Sequence, residues 1–172
     1  MSSNHDKRPL WAPWRIQYIL EDRDNDCGCF ICEHGLDPHN DIENHVIARG
    51  ETCFVFLNKY PYNSGHILIS PYRHLSDLNE MNNDERLEMI TLLAKAENVC
   101  KSAMGPDAFN MGCNLGKVAG AAIEDHIHFH FVPRWSGDTN FMPVIGGTDC
   151  VPQSLIDTAD LLRKHWIKEE NK

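Results

Sequence analysis

A chain of 172 residues suits one domain with a substantial hydrophobic core, and 42% apolar with 24% charged residues is an ordinary balance for a soluble globular protein. Lysine and arginine number 16 against 25 acidic residues, a net charge of −9, which argues against broad electrostatic binding to nucleic acid or an anionic membrane and confines any anionic ligand to a local site. The polar amino terminus, the lack of a long apolar run and seven cysteines without a secretory signal point to a reducing cytoplasm and no disulfide framework.

In chain order, residues 1–9 read as a mobile tail and 10–172 as a single domain. Leu10 to Arg15, with Trp11 and Trp14, is an aromatic arm suited to packing on the core or on a partner subunit. Cys29 and Cys32 have the spacing of a zinc knuckle, which is half a metal site. Residues 36–45 read as a polar loop or short helix. Thr52 to Leu57 is rich in β formers and predicts a strand. Asn58 to Gly65 is a turn, and His66 to Ser70 a second strand ended by Pro71, so the two make a long-looped hairpin with His74 just beyond. Asn83 or Asp84 caps a helix running to Ala103, striped by Met89, Leu92, Leu93, Ala96 and Cys100. Ala108 to Leu115 alternates, with Phe109, Met111, Cys113 and Leu115 on one face and small or polar residues on the other. Gly116 to Ala122 is a small-residue loop whose backbone N–H groups suit anionic oxygens. Pro152 marks the start of a last helix, striped by Leu155, Ala159, Leu162 and Trp166.

Between that loop and Pro133 lies the most informative stretch, His126-Ile127-His128-Phe129-His130-Phe131-Val132. On a strand the histidines share one face, about 6.5–7 Å apart, and the apolar residues share the other. On a helix, positions two apart fan away from each other. Imidazoles this close are suited either to binding a metal or to supplying a nucleophile with supporting groups.

His126-x-His128-x-His130 followed by Pro133-Arg134 resembles the signature of the histidine triad family of nucleotide hydrolases and transferases. Asn58 with Gly65-His66 resembles the family's nucleoside-binding hairpin, and Asn114-x-Gly116 with Ala119-Gly120 its phosphate loop. Leu10 to Arg15, the Cys29/Cys32 pair and Arg134 to Phe141 resemble a bacterial subgroup that includes diadenosine tetraphosphate phosphorylases. The resemblance implies an α+β fold, an antiparallel sheet of about five strands with a long helix packed on it and a C-terminal helix. It implies cleavage of a dinucleoside polyphosphate through a nucleotide bonded to Nε2 of His128, with phosphate or water as the acceptor. His130 then donates to a phosphate oxygen and His66 stands at the other side of the phosphate. Asn58 takes the ribose, while Asn114, Gly116, Gly120, Ala121 and Ala122 hold phosphates. Cys29, Cys32, His74 and His126 match the positions of a structural zinc, and no organic cofactor is implied. A homodimer is implied too, with Trp11, Trp14 and Trp166 as candidates for burial in it. Lys117 and Arg134 are candidates to offset phosphate charge. Ala121, Ala122 and Ile123 stand where many relatives carry a glutamine and a serine, so no hydroxyl helps the leaving group; a polyphosphate, whose charge is delocalised, fits that better than an amine. Two other readings remain: a catalytic metal on all three histidines, or a nucleotide-binding module without catalysis.

Overall fold

The structure is a computed structural model that describes residues 28–120, 125–139 and 153–171. Five strands, β1 (Val46–Arg49), β2 (Cys53–Leu57), β3 (Ile67–Pro71), β4 (Ala108–Cys113) and β5 (Phe129–Arg134), form one antiparallel sheet in the order β1-β2-β3-β5-β4. Among the described residues three α-helices accompany it: α1 (Phe30–Leu36), α2 (Asn83–Met104) and α3 (Leu155–Glu170). The α+β fold is the one expected.

Every residue of β2 and β3 is buried, because both faces of the sheet are covered there. Cys53, Val55 and Leu57 pack with Ile67, Ile69 and Phe131 against Met89, Leu93 and Ala96 of α2 and Ala159, Leu162 and Trp166 of α3. On the opposite face Phe54, Phe56 and Leu68 pack under Ile31 and Phe30 of α1. Each fully buried side chain of this size contributes about 1.5–3 kcal/mol. Alternation along the strands then dictates what stays open. His130 pairs with Leu68 on one side and Gly112 on the other, so it shares the face of Phe56, beyond the reach of the short α1.

Asn82 caps α2 in a capping box with Glu85, one residue before the expected cap, and Gly105 closes the helix at φ 59°. Buried Glu85 is also clasped by Arg73 at 2.6 and 2.7 Å. Ser154 caps α3; Pro152 lies outside the described residues, as do the arm at Leu10 to Arg15 and Ala121 and Ala122. Gly65 sits at φ 71° at the β3 end of the β2–β3 turn, where an added Cβ would lie 2.9 Å from Met104 Sδ at the end of α2.

Several expectations need correction. Residues 46–49 form a strand that the sequence reading left out; its edge is covered by Arg163, which donates from Nε to Val46 O at 2.7 Å. Strand β5 begins at Phe129, not His126, because local polar contacts replace the ladder: His128 Nδ1 donates to His126 O, and Ser70 Oγ donates to Ile127 O at 2.8 Å. Pro133 does not end β5, which runs to Arg134. Pairing with β3 stops at Phe131, so no ladder bond on that side needs the missing N–H. Strand β4 stops at Cys113, and its expected apolar face is thinly covered, with Met111 exposed, because β4 is the sheet edge. Trp166 is 2% exposed within the chain's own core, with the Lys95 ammonium 4.9 Å from its ring, so it is not available to a subunit interface.

Candidate active site

The three histidines do three different things. His126 is fully buried, and its Nε2–H donates to Pro71 O at 2.9 Å. That leaves Nδ1 unprotonated, 3.2 Å from Cys29 Sγ and 3.4 Å from Cys32 Sγ, while His74 Nδ1 is 3.3 Å from Cys32 Sγ. The ligand atoms of Cys29, Cys32, His74 and His126 all lie within 4.8 Å of one another. A tetrahedral zinc with bonds of about 2.0–2.3 Å needs ligand atoms about 3.3–3.8 Å apart, so the set fits such an ion. The Cys32 thiol is pushed up to about 11 by burial, then by the charge of Cys29 beside it, so Cys32 holds its proton until a cation displaces it.

His128 faces the other way. Its Nδ1–H donates to His126 O at 2.9 Å, fixing the tautomer and leaving the Nε2 lone pair for chemistry. Burial lowers its pKa below 6.5, against an opposing push from that carbonyl, so the ring is neutral at physiological pH. The rings of His128 and His130 are 5.1 Å apart.

His66, expected at the other side of the phosphate, is fully buried and stands against His130. Tyr62 N–H donates to His66 Nδ1 at 3.1 Å and Asn58 Nδ2 approaches the same atom at 3.3 Å. His66 Nε2–H must then donate to His130 Nδ1, 2.9 Å away, which leaves a proton on His130 Nε2. The chain of donors sets His130 as a hydrogen-bond donor through Nε2. Asn58 also accepts from Tyr60 N–H at 2.9 Å, so part of its amide is spent on the turn. Asn114 Nδ2 reaches Gly120 O at 3.4 Å and ties down a 3-10 turn over Lys117–Ala119, with Gly116 and Gly120 at φ 78° and 89°. Arg134 is not an unpaired cation for phosphate: Asp138 clasps it at 2.6 and 2.9 Å.

Sequence reasoning missed Tyr62. Its ring lies 4.5 Å from His66 and 5.7 Å from His130, near-parallel to the latter, and covers the relay. The only available signal was an aromatic four residues ahead of His66 in a turn.

Burial, assisted by His130 and His128, pushes His66 down to about 3. The unfolded chain, with an ordinary histidine pKa of about 6.5, therefore takes up a proton that the folded chain refuses. Stability from this neutral ring is complete above pH 6.5 and falls by about 1.4 kcal/mol per pH unit as acid is added toward pH 3. His126, pushed down to about 4 by burial, acts in the same direction in the metal-free chain. Urea midpoints measured at pH 7.5 and 5.0 should differ accordingly; equal midpoints would contradict the buried neutral rings.

A family model for the HIT domain matches residues 39–137. The AP-4-A phosphorylase of Mycobacterium tuberculosis is 39% identical over 165 residues, covering 93% of this chain and 85% of that protein. The asymmetrical bis(5'-nucleosyl)-tetraphosphatase of Schizosaccharomyces pombe is 28% identical over 97 residues, 56% of this chain and 53% of that protein. Among solved structures, a Zn-bound histidine triad family protein from Mycobacterium smegmatis superposes with a TM-score of 0.68 at 23% identity, covering 84% of this chain and 96% of that one. No described helix is long and apolar enough to cross a membrane. With the triad motif, the fold and these matches in agreement, the chain belongs to the histidine triad family.

Proposed function

We propose that the protein cleaves dinucleoside polyphosphates such as diadenosine tetraphosphate through a nucleotide covalently held on His128. The observation that carries this reading is the opposed pair at the cleft. His128 presents an Nε2 lone pair, and the neighbouring His130 presents an Nε2–H. The lone pair attacks the α-phosphorus, and the bond to the bridging oxygen breaks with its electrons leaving on ATP. The ring becomes a cation carrying the nucleotide on Nε2, and the His126 carbonyl on its Nδ1–H stabilises that charge. His130 donates to the phosphate oxygens as charge moves onto them. Inorganic phosphate then attacks the phosphorus, the P–N bond breaks and ADP is released. Phosphate is favoured over water as acceptor by the mycobacterial phosphorylase that covers most of the chain. The first nucleoside is assigned to the ground beside Asn58. Phe56 and His34 meet edge to face there at 5.8 Å, and the Nδ1 atoms of His34 and His45 are buried without a hydrogen-bond partner among the described residues.

A catalytic metal on all three histidines is disfavoured, since each Nδ1 addresses a different partner. For Cys29, Cys32, His74 and His126 we propose a zinc that ties α1 to the segment before β5. When bound it supplies cross-linking alone, with no part in the displacement. The exposed edge of β4 is proposed as the seat of a homodimer.

The direct test is incubation with diadenosine tetraphosphate and separation of the products. ADP plus ATP is expected with inorganic phosphate present. AMP plus ATP as the only products in its presence would replace phosphate by water as acceptor, and no turnover under either condition would overturn the reading.

A further inference from the structure

A cavity of about 280 Å³ opens on the same sheet face as the catalytic rings, next along β5 from His130. Val132 and Arg134 lie on this face with His130 by strand alternation, and Asn110 is the β4 partner of Val132. Tyr62 forms the wall between the cavity and the histidines, with one ring neighbour in His66 and another in His130. Along the strand the order is therefore nucleophile, proton donor, cavity. An in-line displacement expels its leaving group on the side of the phosphorus opposite His128; a substrate laid along the strand, with its α-phosphate at His128 and His130 on its oxygens, carries that leaving group toward the cavity.

The chemistry of its walls selects the occupant. The one cation, Arg134, is already neutralised by Asp138, and Asn63 Nδ2 adds a third clasp on that carboxylate at 2.8 Å. Arg134 beside it is the main cause holding the Asp138 carboxyl down at about 2, so the pair stays ionised and self-compensated at neutral pH. Such a floor offers little to a phosphate. It does offer hydrogen bonds to a neutral polar ring: Arg134 Nη1 donates to Asn110 Oδ1 at 2.9 Å, leaving that amide's NH2 as a donor, and Tyr62 supplies an aromatic face. From His128 to Val132 is two strand steps, about 13 Å. A bridge of several phosphates is the natural way to reach it.

We propose that this cavity is the subsite for the second, leaving nucleoside of a dinucleoside polyphosphate. The proposal rests on the function proposed above, and it makes the protein a reader of both ends of its substrate. It predicts a preference for diadenosine tetraphosphate over adenosine 5'-tetraphosphate, which has the same phosphate count but one nucleoside. Asn110→Phe, a change at an exposed strand position, fills the cavity and should lower the ratio of kcat/KM for the two substrates about tenfold, the worth of roughly one good contact. Turnover of adenosine 5'-tetraphosphate by the variant serves as the check on folding. A wild-type protein with no preference, or a variant whose losses are equal on both substrates, would overturn the subsite. A wild-type protein that turns over neither compound would instead remove the proposed function. Calorimetric titration of the wild-type protein then decides the subsite separately: tighter binding of diadenosine tetraphosphate supports it, and equal affinities overturn it.

Discussion

Replacing His128 by alanine should abolish turnover of diadenosine tetraphosphate, with kcat falling about 10⁴-fold or more. No other described group can take its place as nucleophile. His130 has its Nδ1 occupied by His66 and a proton on Nε2, and the Nδ1 of His126 belongs to the cysteine cluster. The effect should appear in kcat and in the formation of the covalent species together, because the step removed is bond formation itself. Rapid quenching of wild-type protein with labelled substrate should recover nucleotide on the protein in less than one equivalent per chain, and the variant should recover none. His130→Ala should cost less, about 10²–10³-fold, the scale of losing one hydrogen-bond donor to a developing charge. An alanine variant at 128 that retains wild-type turnover would remove the mechanism.

The second large effect concerns the cluster of Cys29, Cys32, His74 and His126. Protein purified without chelator should carry about one equivalent of zinc, and Cys32→Ser or prolonged chelation should cost about 4 kcal/mol or more of stability. For a domain of this size that corresponds to a fall of about 10 °C in Tm. The cluster gathers ligands from the start of α1, the segment after β3 and the first histidine of the triad, two residues before His128, so its loss frees three separate stretches at once. His126 also holds His128 through its backbone carbonyl, so activity should fall with metal content. Metal-free protein with an unchanged Tm on Cys32→Ser would count decisively against the site.

Much of this was legible in the sequence, and the reasons are local. The β-branched and aromatic runs of β2 and β3, and the apolar stripe of α2 with its capping residues, carry their own signals, and those elements lie within a residue or two of where pattern places them. Strand β1 is too short to announce itself; it exists because β2 and α3 close over it. The start of β5 lies later than the alternation of the triad suggests, because the His126 ring donates to the Pro71 carbonyl, the His128 ring to the His126 carbonyl and Ser70 to the Ile127 carbonyl, and backbone acceptors leave no trace in a pattern of side chains. The role of His66 was likewise beyond reach. Spacing puts it near the triad, but only packing reveals that it is sealed from solvent and bonded to the His130 ring. Trp166 shows the reverse error: a large aromatic near the chain's end suggests a contact between subunits, yet the gap between α2 and α3 absorbs it.

The close fit at Gly65 has a reach of its own. Its backbone conformation sets the end of the turn that carries Tyr62 and leads directly into His66. Any larger residue there is strained at this positive φ and must also move the end of the Met104 side chain aside, and a shift of the turn reaches the His66 ring that bonds His130. A disturbance on the scaffold side is thereby carried to the pair of rings facing the cleft, by way of a residue with no functional group at all.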